Sequence, residues 1–578
     1  MADWFLNDST SKTFTLYSRA NVGEVFPDPI SPLSATTGFL ANLEPGWRDA
    51  YVATGAWDHD FYDPGVEHNT LACFQGYLYI NMSLMRLIGV RVPGFSPEAV
   101  DLQYFGHMPG IPPYESEKRD FDESPEHTEK AGAWLIGEVL GSKDLSDLDP
   151  LRAKIRDIRR DRPDFASMDD AELLQYMTSL NGFAQEMFSH HIQTSLKAGI
   201  GLGAVTQVCE AIGNPQLALQ LLVDIGEVDS AGASLRIWEL GRAVAASPGL
   251  SRLFDEGTDG LLEKLRATRG QHGSFVEDLE SFLADWDFRG PNEWEFRRPV
   301  WGTKPEIALA AIDRSRLSPQ TDDPEAGAAA RIAQREAAEA TVRTALAGNE
   351  DVLGQFETAL NAAKLWLRAR ERTRTIGGMT IHEQRLPALE LGRRGVAAGH
   401  LATPEQIFML TVDEIPRYLA DPASWTDKVR ERERAYLELF EYEPPFVVVG
   451  DPPHLSEWKR RASAGARSGA GEVLQGVTGC PGVATGRSRV IMHADDPSEL
   501  DAGEILICPI TDPSWTPLFM AASAVVCDVG AAFSHAAIVS RELGIPCVVS
   551  VGGATMRIPD GALIEVDGNA ATVKILEL

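Results

Sequence analysis

The stretch Arg461-Ala462-Ser463-Ala464-Gly465-Ala466-Arg467-Ser468-Gly469-Ala470-Gly471 is small and polar and carries no apolar period. A hydrophobic core cannot run through such a segment, so it predicts a flexible connector with separate bodies on either side. The two sides differ in kind. Upstream, Phe356, Leu360, Ala363 and Leu367 fall at three- and four-residue spacing, and residues 328–346 are rich in Ala, Glu and Arg, as in long packed helices. Residues 162–222 also read as helical, with Met168-Asp169-Asp170-Ala171-Glu172-Leu173-Leu174 as a capped start and residues 217–222 as a buried stretch. Downstream, short β-rich runs at residues 488–492, 504–508, 524–527, 546–551, 562–566 and 571–576 are separated by Gly, Pro and Asp, and the last two are joined by the Asp567-Gly568-Asn569 turn.

The expected architecture is therefore multidomain: a mainly α-helical body over residues 1–460, a connector over 461–475, and a C-terminal α/β domain over 476–578. A coil of roughly 14 residues spans about 20 Å, against a radius of gyration of roughly 22 Å for a body of about 450 residues, so the small domain can reach different places on the large one. The first 120 residues, rich in Pro, Gly and aromatics, read as irregular loops around short elements, and residues 318–325 as an exposed loop.

Composition narrows the function classes. With 44% hydrophobic and 24% charged residues the 578-residue chain is ordinary for a globular protein of several domains. Its formal charge of −31 opposes nonspecific attraction to nucleic acid or anionic membrane, so any phosphate site must be locally built. No apolar run approaches the roughly eighteen residues of a membrane span, and the start Met-Ala-Asp-Trp-Phe lacks a basic-then-apolar leader, so a cytoplasmic protein is expected. The six cysteines, Cys73, Cys209, Cys480, Cys508, Cys527 and Cys547, show no metal spacing and read as reduced thiols.

Chemistry concentrates in residues 527–546, which read as strand, turn, helix, strand. Gly530 permits the turn, Ser534 is a natural N-cap, His535 opens the helix, and Gly544 and Pro546 end it. An imidazole there sits over unpaired backbone amides at the positive end of the helix dipole, worth roughly 0.3–1 kcal/mol to an anion. A neutral imidazole is a nucleophile, so His535 is the candidate to bear a transferred phosphoryl group. The competing reading is a histidine near a cap with no chemical role.

Three segments decide between these readings: Gly479-Cys480-Pro481-Gly482-Val483-Ala484-Thr485-Gly486, Thr511-Asp512-Pro513-Ser514-Trp515-Thr516-Pro517-Leu518, and Ser534-His535-Ala536-Ala537-Ile538-Val539-Ser540-Arg541-Glu542. In this order they resemble the phosphohistidine, or swivelling, domain of the phosphoenolpyruvate-utilising enzymes and dikinases, the rifampin (rifampicin) phosphotransferases among them, over residues 476–578. The resemblance implies that His535 is phosphorylated, with Ser534 and Arg541 orienting ring and phosphate. Ala531-Ala532 and Cys480 depart from the family pattern, which has a glycine pair and often a small hydroxyl residue at these places.

Residues 21–33 and 405–414 are similar to segments of the helical substrate domain of rifampicin phosphotransferase. The order of parts is that of such an enzyme without its ATP-grasp portion, and it is also similar to the carrier subunit of two-component aryl phosphate synthases. The sequence contains no Gly-x-x-x-x-Gly-Lys-Ser/Thr loop, and no phosphoenolpyruvate-binding barrel is expected after the carrier domain. The resemblance then implies that ATP and magnesium bind mainly to a separate ATP-grasp subunit. AMP and phosphate would be released as His535 is charged, and the acceptor would be the hydroxyl of a small, phenolic molecule.

Candidates for the acceptor site are weaker. His190 and His191 lie on an apparent helix and are candidate bases, with surface or core filling as the competing reading. Arg368, Arg370, Arg372 and Arg374 form a basic run; Arg368 and Arg372 are taken to face the phosphate, against a solvated face pairing with acids. Phe74, Tyr77 and Tyr79 read as core rather than pocket, and no metal ligands are identifiable. Two rival functions stay open: the same chemistry on an antibiotic or other metabolite, and a noncatalytic phosphocarrier or regulator whose helical body docks proteins.

Overall fold

The structure is a computed structural model, and it describes residues 8, 10–62, 70–105, 108, 110–226, 229–317, 328–460, 467–492, 500–511, 515–530 and 534–578. The loop expected at 318–325, residues 461–466 of the connector, and Ala531-Ala532 lie outside the described residues. The chain forms two compact units. The first takes Met1–Val208, Trp294–Arg297 and Asp351–Ser463, and the second takes Cys209–Glu293, Arg298–Glu350 and Ala464–Leu578. The single N-terminal body expected over residues 1–460 is thus divided, because residues 209–293 and 298–350 pack with the C-terminal residues; Arg314, for instance, pairs with Asp501 at 3.7 Å. Helical periodicity reports which face of a helix is apolar and not which partner covers that face.

The first unit is organised by the 48-residue helix Glu350–Ala397. Phe356, Leu360 and Ala363 are buried, as their spacing requires, with Leu367 packed at the margin. Farther along, the helix is buried nearly all round, from Arg370 through Arg385, so its polar residues must find partners inside the protein. Asp169 and Glu172 form the capping box expected ahead of the helix Asp170–Ser179. Strands β1 (Leu16–Ser18), β2 (Leu71–Phe74), β3 (Tyr77–Asn81) and β5 (Val447–Val449) form an antiparallel sheet in the order β2-β3-β1-β5. A small ribbon joins β4 (Tyr442–Glu443) to β6 (Lys459–Arg460). The first 120 residues are therefore more regular than expected. Strands only three to five residues long leave almost no local pattern, and β1 finds one partner, β5, more than 400 residues away. Phe74, Tyr77 and Tyr79 are fully buried with Tyr17 and Trp458, as core.

Glu295 anchors Trp294–Arg297 within this unit. Its buried carboxylate accepts from the Ser31 and Ser34 hydroxyls at 2.5 and 2.8 Å, while Arg385 donates to the carbonyls of Glu295 and Phe296. Burial pushes the Glu295 carboxyl pKa upward, and these donors offset part of that penalty.

The second unit has a helical part, whose core includes Ile237, Val244, Phe254, Leu279 and Ile312, and an eight-stranded sheet. The strands are β7 (Val473–Gln475), β8 (Val477–Cys480), β9 (Val483–Val490), β10 (Ile505–Cys508), β11 (Ala524–Cys527), β12 (Cys547–Val549), β13 (Leu563–Asp567) and β14 (Thr572–Glu577), in the order β7-β14-β13-β9-β10-β11-β12-β8. Strands β9 to β12 run parallel, and β13–β14 is the expected closing hairpin. Because β7 pairs with β14, the sheet begins inside the stretch read as connector. The central strands are buried on both faces: Leu506, Cys508, Val525 and Cys527 join one core, and Ile505, Ile507, Ala524 and Val526 the other. That double burial makes the sheet a rigid platform for the loops at its carboxyl edge.

Candidate active site

The carboxyl ends of β10 and β11 build the site. Chain leaving β11 continues its pairing, Asp528 N–H to Cys508 O and Val529 N–H to Pro509 O at 3.0 Å each, and then reaches the helix His535–Leu543. Ser534 caps that helix, its hydroxyl accepting from Ala537 N–H at 3.4 Å, and Gly544, with φ +70°, closes it in the left-handed conformation. The strand–helix–strand reading of residues 527–546 holds. Gly530 serves for space rather than for an unusual φ: a Cβ there would lie 2.9 Å from Val549 Cβ and 3.1 Å from Ser534 Oγ.

His535 is 3% exposed, its ring edge-on to Phe519 at 6.0 Å. Its Nδ1 lies 3.1 Å from Thr511 Oγ1, on the chain leaving β10. The hydroxyl can accept from Nδ1–H or donate to Nδ1; with Nδ1–H as the donor, the ring is held in the tautomer whose lone pair is on Nε2. Nothing local in the sequence links Thr511 to the histidine 24 residues later; parallel pairing of β10 with β11 makes the link. Arg541 is buried, and its Nε donates to Gly479 O at 2.8 Å, tying the helix to β8. Cys480 is buried, its thiol pushed up to about 11 by burial, with Arg541 pulling the other way.

The first unit holds a second concentration of polar groups. Arg370 and Arg374 are buried on the helix Glu350–Ala397, so a solvated face does not describe them. Arg368 and Arg372, two residues out of phase and hence on nearly the opposite side of a 3.6-residue helix, are half-buried. Arg368 Nε contacts Lys364 O, and Arg372 pairs with Asp149 at 3.7 Å. His190 is half-buried, its pKa lowered mainly by burial. His191 is buried, its pKa driven well down by burial and by the charges of Arg370 and Arg374. Its Nδ1 lies 3.0 Å from Thr373 Oγ1, and its ring is edge-on to Trp294.

Glu24, in a short helix after β1, faces the same cluster. Burial raises its pKa to about 7, while the fields of Arg370 and Arg374 oppose the rise. The sequence offered no sign of these surroundings, since the groups that act on Glu24 come from residues 104, 370 and 374. Among the described residues, no group of three or more His, Cys, Asp or Glu converges as a metal site, and no helix is long and apolar enough to cross a membrane.

Residues 500–571 match the family model described as PEP-utilising enzyme, mobile domain, and residues 190–371 match the rifampicin phosphotransferase fourth domain. The chain is related to the rifampicin phosphotransferases. Within this relationship, a rifampicin phosphotransferase of Streptomyces sviceus is 31% identical over 55% of this chain and 36% of its own length. The prodigiosin synthesizing transferase PigC of Serratia marcescens is 24% identical over 98% of this chain and 64% of its own, and an uncharacterised Mycobacterium tuberculosis protein is 28% identical over 98% and 62%. This rifampicin phosphotransferase relative thus spans less than two thirds of the length of the curated proteins it matches.

Proposed function

We propose that this chain is a phosphotransferase subunit that carries a phosphoryl group on His535 and passes it to the hydroxyl of a small, phenolic molecule. The observation that carries the reading is the histidine at the head of the helix His535–Leu543, with Thr511 on Nδ1. Such a ring is oriented before reaction, and the adjacent backbone amides favour the charge that arrives with phosphate. The match to the mobile domain and the relatives named as phosphotransferases support phosphoryl transfer as the chemistry. We assign ATP and magnesium to an ATP-grasp partner subunit, which would charge His535 with release of AMP and phosphate. In this chain, Thr511 holds the tautomer, Ser534 caps the helix, and the buried Arg541 keeps the helix against β8.

The test is phosphosite mapping at neutral or alkaline pH after incubation with ATP and magnesium, alone and with an ATP-grasp protein. Label on His535 that requires the second protein, is absent in His535→Ala and is discharged by phenol is the expected result. Label without a partner would place the donor site on this chain. Discharge by another hydroxyl compound and not by phenol would reassign the acceptor, and absence of label under every condition would sink the carrier role.

A further inference from the structure

We propose that Ser550 is a positioning residue for phosphoryl transfer: from a left-handed backbone conformation its hydroxyl holds the Gly530 carbonyl, and with it the chain that leads into His535. This rests on the carrier role of His535 proposed above and names a residue outside the histidine's own segment that the role requires.

The first observation is a strained backbone that local sequence does not explain. Ser550 has φ +55°, a region that a residue with a Cβ enters only at a cost. Among the described residues five other non-glycines share it: Asn21, Gln75, Asp224, Asn292 and Ala571. Asn and Asp tolerate this region because their short polar side chains bond locally, and Gln75 and Ala571 lie in the turns that join β2 to β3 and β13 to β14. Ser550 belongs to neither group; it leads from β12 towards the short helix Ala554–Arg557. Glycine would take this conformation freely. Strain of this kind persists where the surrounding contacts over-determine it, and it concentrates at functional sites.

The second observation is what the conformation achieves. It returns Val551 N–H to Cys527 O at 3.0 Å, at the last residue of β11, and it brings the Ser550 hydroxyl to the Gly530 carbonyl, which accepts its hydrogen bond. Glycine would make the backbone turn equally well, but the bond to Gly530 needs the hydroxyl. Farther along, Thr555 grips the same stretch: its N–H and hydroxyl donate to the two carboxylate oxygens of Asp528 at 2.8 and 2.5 Å.

Because β11 lies between β10 and β12, the stretch leaving it is held from both sides. On one side the Asp528 and Val529 amides pair with Cys508 O and Pro509 O, just before Thr511. On the other stand Ser550 and Thr555. Gly530 in turn lies against the cap of the histidine helix, where a Cβ would meet Ser534 Oγ at 3.1 Å. Loss of the Ser550 hydroxyl releases the Gly530 carbonyl, and the slack passes to the Ser534 cap and to the contact between His535 Nδ1 and Thr511 Oγ1.

The test compares two variants that both lack the hydroxyl and differ in backbone strain. Ser550→Gly removes hydroxyl and strain together, and Ser550→Ala removes the hydroxyl alone. Three quantities are read on the full chain: Tm, the 15N signals of the His535 ring assigned against His535→Ala, and the rate of label uptake on His535 from phosphoramidate. This small donor passes its phosphoryl group to an imidazole nitrogen as its own P–N bond breaks and ammonia leaves. We expect label uptake to slow by about tenfold and the ring signals to shift in both variants, while Ser550→Gly melts about 2 °C above wild type and Ser550→Ala does not. Uptake that follows Tm, with Ser550→Gly labelled as fast as wild type, overturns the proposal, as do ring signals unchanged in both variants; the carrier role then stands, because wild type itself is labelled. A wild-type chain that takes no label on His535 overturns the carrier role and this proposal together.

Discussion

Thr511 Oγ1 lies 3.1 Å from His535 Nδ1, bridging the ends of two parallel strands. Thr511→Val removes the hydroxyl and leaves the shape, so the ring loses its tautomer restraint. Charging of His535 is expected to slow by roughly tenfold, the equivalent of about 1.4 kcal/mol for one oriented hydrogen bond, with Thr511→Ser near wild type. Histidine-selective 15N spectra should show mixed tautomers at His535 in the valine variant; an unchanged ring signal would remove Thr511 from the mechanism.

Gly530→Ala puts a methyl group 2.9 Å from Val549 Cβ and 3.1 Å from Ser534 Oγ, against a doubly buried strand. Overpacking of this kind costs about 1–3 kcal/mol. A lower Tm together with slower charging of His535 is expected, whereas Gly561→Ala, with nothing near the new methyl but φ +78°, should affect Tm alone.

Glu24 makes stability depend on pH. Its folded pKa of about 7 lies above its ordinary value of 4.5, so its contribution to stability is fully present below about pH 4.5 and is lost as pH rises through about 7. Glu24→Gln is neutral throughout and should be more stable than wild type above pH 7, by on the order of 3 kcal/mol, with the difference closing toward pH 4.5. Denaturant unfolding across this range checks it, and a glutamine variant less stable at pH 8 contradicts the assignment.

All six cysteines are buried and none is in a disulfide, and burial pushes the thiols of Cys209 and Cys480 up to about 11. Native protein should resist iodoacetamide at neutral pH and take up six equivalents only when unfolded. Rapid native labelling of Cys508 or Cys527, whose sulfurs are 3.5 Å apart, would show that the β10–β11 platform opens readily.

The local structure around His535 was largely legible because its signals are local. A cap at Ser534, a helix opening at His535 and a stop at Gly544 lie within one short segment, and the short β-rich runs at residues 504–508 and 524–527 announced strands. The connector's boundary was misplaced for the converse reason: Val473–Gln475 is a strand only because β14, a hundred residues later, pairs with it.

Capping and periodicity act over a few residues, so the helical and β-rich regions and the histidine at a helix head are written locally in the chain. Tertiary structure alone decided the rest. It placed Thr511 on His535, divided residues 1–460 between two units, and selected Arg370 and Arg374 over Arg368 and Arg372 as the buried pair beside Glu24. Both arginine pairs have the same spacing along the helix. Which one is desolvated depends on what lies against each side, and the groups beside Arg370 and Arg374 include Glu24, Tyr104 and His191, brought together from three distant parts of the chain.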